Sequence, residues 1–386
     1  MNNTASLPRS AQELNPETLG RLLSAGRRDR TAEIESVDVQ EVGVDVGFVG
    51  RAFRCRLTYA ADSEAGPVTV IVKMGTDDPG LNQVFRDFGL YEREVRFYQE
   101  LRDSTPIPVP GCFFAATDDG TGDHLLILED LAPAVPGDPL SGSSTVQAQQ
   151  ALDLAASLHA RWWNDDQLEG LEWLPTAAAP RIVDGIAEMF APAWSAFAKN
   201  VGPDFPRYAL HLGDRLTEEL PTVLERLSEP PRTLVHGDFQ LGNLFYDATG
   251  EVAAVADWQV IIHARGAMDV AHFIARSLTP GDRRAAERDL ILHYCRSLAA
   301  AGGVDYTAED CWTDYRLAVL SQFGLGILLS YGLAASATNA RHDASRDKLS
   351  LVVGGRLLAA LEDLDVAELL PKRPLLNRIR SALLRG

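Results

Sequence analysis

The sequence predicts an α+β protein of two lobes, and three observations carry that expectation. Short runs rich in β-branched and aromatic residues crowd the region from Glu33 to Leu128, interrupted by one strongly helical stretch. From Thr145 onward helical periodicity dominates. Between the two regions, Pro133 to Ser144 is rich in Pro, Gly and Ser and reads as the break. The expected architecture is a small antiparallel-sheet lobe plus one helix over 1–132, a linker over 133–144, and a larger, mainly helical lobe over 145–386. At 386 residues, 46% hydrophobic, the chain can bury a large core and divide in this way.

Charge and cysteine usage narrow the class. A net charge of -18 disfavours nucleic acid and anionic membrane surfaces as partners, because neither would attract the chain. Cys55, Cys112, Cys295 and Cys311 are too scattered for a metal-site spacing and too few for a disulfide framework. Met1 to Asn15 is polar and has no apolar core for a signal peptide, so a cytoplasmic location is expected. Leu317 to Ala340 is uncharged and long enough to cross a bilayer, yet Ser321, Gln322, Ser330 and Asn339 interrupt it. It reads as a buried helix of the larger lobe, with no membrane as partner.

In chain order, Pro16 to Arg28 reads as an amphipathic helix with Leu19, Leu22 and Leu23 on one face. Strands follow at Glu33 to Val49 and Ala52 to Tyr59. The turn between them carries Gly43, Gly47 and Gly50, and is either an ordinary hairpin or a cover for phosphates. Pro67 to Lys73 is the third strand, with Thr69, Ile71 and Lys73 on one face. A single helix is expected over Leu81 to Arg102, ended by Pro106, Pro108 and Pro110. Phe113 to Thr117 and His124 to Leu128 complete the small sheet. Thr145 to Trp163 is a strong helix whose His159, on its apolar face, reads as a core group more readily than a catalyst. Leu171 to Phe205 is less readable, its aromatics suited either to a core or to an acceptor pocket. Tyr208 to Leu227 is another helix, and helices fill Pro280 to Gly386, with Leu349 to Leu361 amphipathic.

The stretch from Thr233 to Ala271 carries the chemistry. Leu234 and Val235 end a buried strand, and His236-Gly237 form a turn that exposes Asp238. Asn243 follows five residues later, and a hairpin from Leu244 to Ala256 returns the chain so that Asp257 approaches Asp238 and Asn243. One carboxylate to take a proton from a hydroxyl, with amide and carboxylate oxygens to hold Mg2+ against ATP phosphates, is the equipment of phosphoryl transfer.

The run His236-Gly237-Asp238, then Asn243, then Asp257-Trp258-Gln259, resembles the aminoglycoside phosphotransferase and choline kinase superfamily, distant relatives of protein kinases. Asp-Trp-Gln leans toward its ecdysteroid-kinase-like branch. Gly237 stands where the protein-kinase catalytic loop has Arg, which favours a small-molecule kinase. The resemblance implies a protein-kinase-like two-lobe fold and gives each position a role. Asp238 is the catalytic base, with Asn243 and Asp257 as Mg2+ ligands. Lys73 contacts the ATP phosphates and is paired by Glu94, with Glu92 as the alternative. Glu129 and Leu131 sit at the hinge beside adenine. His236 and Asp269 support the loop. The expected function is transfer of the γ-phosphoryl of ATP to a hydroxyl of a small molecule: an amino sugar, amino alcohol, sterol-like alcohol or sugar. A nucleotide-binding pseudokinase or scaffold, or a protein kinase, is the alternative.

Overall fold

The computed structural model describes residues 7–25, 33–43, 50–61, 66–118, 122–302, 305–334 and 344–371. Its first lobe is a five-stranded antiparallel sheet of β1 (Ile34–Val42), β2 (Arg51–Tyr59), β3 (Thr69–Met74), β4 (Cys112–Thr117) and β5 (His124–Glu129), in the order β1-β2-β3-β5-β4. Alternation along β3 explains its two faces. Val70, Val72 and Met74 are buried against Phe53, Leu125 and Ile127, and helix α1 (Pro16–Ala25) closes that face with Leu19 and Leu22. Lys73 belongs to the opposite face, which looks toward the rest of the molecule.

The segment expected as one helix is two. Asp78 caps α2 (Pro79–Asp87) by accepting the Leu81 N–H at 2.9 Å, and Gly89, at φ +68°, turns the chain into α3 (Leu90–Arg96). A π turn over Phe97–Leu101 follows. The left-handed glycine ends the first helix where periodicity alone continues it. Of the Gly43 to Gly50 turn, read as either an ordinary hairpin or a cover for phosphates, residues 44–49 lie outside the described residues.

The segment expected as a linker contains a short strand, β6 (Val135–Pro136), that pairs with Phe245 and Tyr246. After it comes α4 (Thr145–Arg161), opened by a reciprocal Ser144 and Gln147 capping box. Next come α5 (Asp166–Glu169), α6 (Pro180–Asn200), α7 (Arg207–Leu227) and β7 (Thr233–Val235). The hairpin β8 (Leu244–Tyr246) and β9 (Val252–Val255) joins β6 in a three-stranded sheet, and β10 (Ile262–Ala264) pairs with β7. Helices α8 (Ala267–Ser277), α9 (Pro280–Gly302), α10 (Ala308–Ala334) and α11 (Ala344–Asp363) follow. Residues 317–334 of the apolar stretch lie in α10, where Leu317 to Leu320 are buried. Among the described residues no helix is long and apolar enough to cross a membrane.

The poorly legible region is occupied by α6. Pro180 sits at its first turn, where a missing N–H costs nothing, and Pro192 lies inside it. Phe190 and Trp194 are buried in the large core, and Trp194 stacks on Phe197, so these aromatics belong to packing. The Trp194 indole lies flat against Gly213 of α7, where a Cβ would run into the ring. Alanine normally gains about 1 kcal/mol over glycine in a helix. Overpacking costs about 1–3 kcal/mol and should win here. Gly213→Ala is therefore expected to lower stability in urea unfolding, and a gain would show that the contact is soft.

Candidate active site

The loop after β7 is shaped by one buried carboxylate. Asp269, in the first turn of α8 and 0% exposed, accepts the backbone N–H of His236 at 2.8 Å and that of Gly237 at 2.9 Å. His159 Nε2 donates to the same carboxylate at 3.2 Å, and Tyr294 donates its hydroxyl to His159 Nδ1 at 2.8 Å. Burial pushes the Asp269 carboxyl up, but the His159 hydrogen bond and the neighbouring histidines outweigh it and hold it below the usual range. Gly237 has φ +82°, and a Cβ there would strike the Val260 carbonyl. Only glycine suits that turn, which is the physical reason no arginine follows His236.

His236 links the two halves of the loop. Its Nε2 donates to the Ala256 carbonyl at 3.0 Å and its Nδ1 accepts the Asp238 N–H at 3.3 Å, so each ring nitrogen has one assigned role. Ala256 in turn donates its N–H to the Asn243 carbonyl at 2.9 Å. Asn243 Nδ2 donates to the Asp238 carboxylate and to its carbonyl, both at 2.8 Å. Asp238 and Asn243 are thus in direct contact, and Asp257 is tied to them through the adjoining backbone. Asp257 itself holds φ +69°, a left-handed conformation that is strained for a residue with a side chain.

Lys73 reaches across from β3. Its Nζ lies 2.6 Å from Glu94 Oε1 on α3 and 3.0 Å from Asp257 Oδ1. Burial opposes the ammonium, but Asp257 and Glu94 outweigh it and raise Lys73 above its ordinary value. For Glu94 burial is the larger influence and pushes the carboxyl up against the pull of Lys73. Glu92, the alternative partner, is half exposed and lies 3.8 Å from Arg96. Trp258 carries the contact further. Its fully buried ring stacks on Phe97 at 4.0 Å and 6°, and tilts against His236 at 4.7 Å. A small cleft beside Lys73 is lined by Met74, Tyr91, Glu94, His124 and Gln259.

Glu129 and Leu131 stand apart from this cluster. The Glu129 carboxylate accepts the Gly111 N–H at 2.9 Å, and the Leu131 carbonyl accepts the Ala134 N–H at 2.9 Å. Two residues escape sequence reasoning. His272 Nε2 lies 3.0 Å from Asp238 Oδ1, and Arg276 Nη1 lies 3.0 Å from the same nitrogen. Burial pushes Asp238 up, but His272, Arg276 and His236 bring it down to about 2. The signal was spacing: Asp269, His272 and Arg276 recur at i, i+3 and i+7 on one face of α8.

Among the described residues no group of three or more His, Cys, Asp or Glu side chains could hold a metal. The oxygens present nevertheless fit Mg2+. Asn243 spends its nitrogen on Asp238 and, among the described residues, its Oδ1 has no hydrogen-bond partner and Asp257 Oδ2 meets only a long 3.4 Å contact from Gln259. These are hard oxygen donors of the kind Mg2+ accepts.

An antiparallel sheet lobe, a helical lobe, and a loop cluster carrying an acid, an amide and a second acid between them define a protein-kinase-like fold. A protein from Ralstonia eutropha described as an aminoglycoside phosphotransferase superimposes with TM-score 0.55 at 17% identity, covering 91% of this chain and 98% of that one. Plasmodium vivax ethanolamine kinase gives 0.52 at 12%, covering 85% and 84%, and Cryptosporidium parvum choline kinase 0.51 at 12%, covering 85% and 90%. No curated protein matches. Residues 46–302 match the ecdysteroid kinase-like family, and the chain belongs to it.

Asp269→Asn would turn an amide nitrogen toward a backbone N–H or the His159 N–H. It is expected to cost about 1–3 kcal/mol in thermal or urea unfolding; an unchanged midpoint would contradict the bracing geometry. A second test uses pH. His124, 5% exposed and stacked on Tyr91 at 3.8 Å, is lowered from 6.5 to about 3 by burial and by the Lys73 and Arg86 charges. Between those values the unfolded chain binds the extra proton, so this contribution is complete above pH 6.5 and is lost as pH falls toward 3. His124→Phe, which keeps the stacking, should shrink the stability difference between pH 7 and pH 5 by about 2 kcal/mol.

Proposed function

We propose that this chain is an ATP-dependent phosphotransferase that moves the γ-phosphoryl group to a hydroxyl of a small molecule. The observation that carries this reading is the contact set around Asp238, Asn243, Asp257 and Lys73 in a chain of the ecdysteroid kinase-like family. Asp238, with its side chain 32% exposed and its charge retained to about pH 2, accepts the acceptor's proton. As the acceptor oxygen bonds to the γ-phosphorus, the bond to the bridging β–γ oxygen breaks and ADP leaves. Lys73, aligned by Glu94, neutralises phosphate charge. Asn243 Oδ1 and the Asp257 carboxylate would hold Mg2+, which when bound offsets negative charge on the phosphates. Positioning and charge neutralisation supply most of the rate.

Lys73 Nζ and Asp257 Oδ1 are 3.0 Å apart, so the phosphate-binding cation and one Mg2+ ligand would act on the same part of the nucleotide. The lobes would meet at the linker 133–144, with nucleotide between them.

The test is an ATP-consumption screen across amino sugars, amino alcohols, sterols, sugars and hydroxy acids. With the best acceptor, Asp238→Asn should lower turnover by about 10²–10⁴-fold, with binding of a non-hydrolysable ATP analogue retained. Full activity in that variant would remove Asp238 from the chemistry. Absence of ATP consumption with every acceptor would defeat the phosphotransferase reading.

A further inference from the structure

Arg276 has an unusual position for a cation. The residue is half-buried, and among the described residues no carboxylate oxygen lies within ion-pair distance of its guanidinium. Its one side-chain partner is His272 Nε2, at 3.0 Å, and that nitrogen is also 3.0 Å from Asp238 Oδ1. A carboxylate needs a proton on the imidazole nitrogen, whereas a guanidinium needs its lone pair. Both contacts cannot be hydrogen bonds at once, so Arg276 and Asp238 compete for a single atom.

The surrounding charges are otherwise committed. Asp269, one helical turn before His272, is spent on the loop backbone and His159, and His236 is spent on Ala256 and Asp238. Arg356 of α11 gives its donors to the carbonyls of Pro139, Leu140 and Arg276. Asp138 of the linker accepts from Leu140 and Ser141. Arg276 therefore stands beside the proposed base as a cation that, among the described residues, has one side-chain hydrogen-bond partner for its five donors. A planar guanidinium in that situation suits a carboxylate or phosphate, which it grips by two parallel bonds.

We infer that Arg276 recognises an anionic group on the acceptor, so that this enzyme phosphorylates a hydroxyl close to a carboxylate or phosphate and discriminates against cationic amino sugars and amino alcohols. An ammonium beside the guanidinium would meet a like charge. An anion would draw the guanidinium away from Nε2 and leave His272 free to donate to Asp238. Because α8 carries Asp269, His272 and Arg276, the loop brace and the anion contact share one rigid element. This inference rests on the phosphotransferase reading above and specifies its substrate class.

The test measures ATP consumption with 3-hydroxybutyrate and other hydroxy acids beside their amides, glycerol 3-phosphate beside glycerol, and choline and kanamycin. Wild type, Arg276→Gln and Arg276→Lys are compared. One anionic member is expected to exceed its neutral partner by about tenfold or more in kcat/KM. Arg276→Gln should raise KM for that anion by about tenfold or more, narrow the kcat/KM ratio between the anion and its neutral partner, and be partly rescued by Arg276→Lys. The responding arm tells carboxylate from phosphate. Preference for choline, kanamycin or the neutral partners, or identical discrimination in Arg276→Gln, would overturn this inference alone. No ATP consumption with any acceptor would overturn the phosphotransferase reading with it.

Discussion

A buried aspartate facing two successive backbone N–H groups is the constraint on which the centre of the molecule depends. Asp269 is fully enclosed, and a carboxylate there is tolerated because His236, Gly237 and His159 all donate to it. The price of burying that charge is returned as orientation. With both N–H groups turned toward α8, the loop leaves β7 in one conformation, Gly237 takes the left-handed turn, and the Asp238 side chain emerges toward solvent. His159 and Tyr294 extend the support into α4 and α9, so the loop is anchored to three helices of the core.

A second constraint joins the lobes. Lys73 on the sheet, Glu94 on α3 and Asp257 after β9 form a mutually dependent group, since one ammonium satisfies two buried acids. The Trp258 ring makes the same connection through apolar surface, lying between Phe97 of the small-lobe helical segment and His236 of the loop. A shift of α3 would therefore be felt by the loop through both a charge and a ring. In this chain the residue after Asp257 is large because it spans that gap.

Legibility followed the length and regularity of each signal. Strand alternation separates Lys73 from its neighbours, whereas its pairing with Glu94 was anticipated from the resemblance to the family's small-lobe helix, and the structure buries Glu94 while leaving Glu92 half exposed. The spacing of Asp238, Asn243 and Asp257 was readable because a tight turn and a hairpin leave few ways to connect them. Helix α6 was obscured by Pro180 and Pro192, whose usual meaning as breakers is reversed by one sitting in the first turn. Gly89 had the opposite effect, ending a helix that periodicity would continue. Strands β6 and β10, of two and three residues, are too short to show a period, and exist because β8 and β7 offer them edges. His272 and Arg276 were hidden for another reason: on a helix buried nearly all round, polar residues look like ordinary interruptions until the loop they touch is placed.

Arg356 carries a consequence for the order in which the protein matures. Its donors close on Pro139, 217 positions earlier, and on Leu140 and Arg276. On the ribosome, the sheet lobe and most of the helical lobe emerge well before this residue. Until it arrives, the carbonyls of the connecting segment and of the helix end beside Asp238 lack their shared donor. The joint between the lobes is thus among the last parts to set, although the chain that forms it is made early.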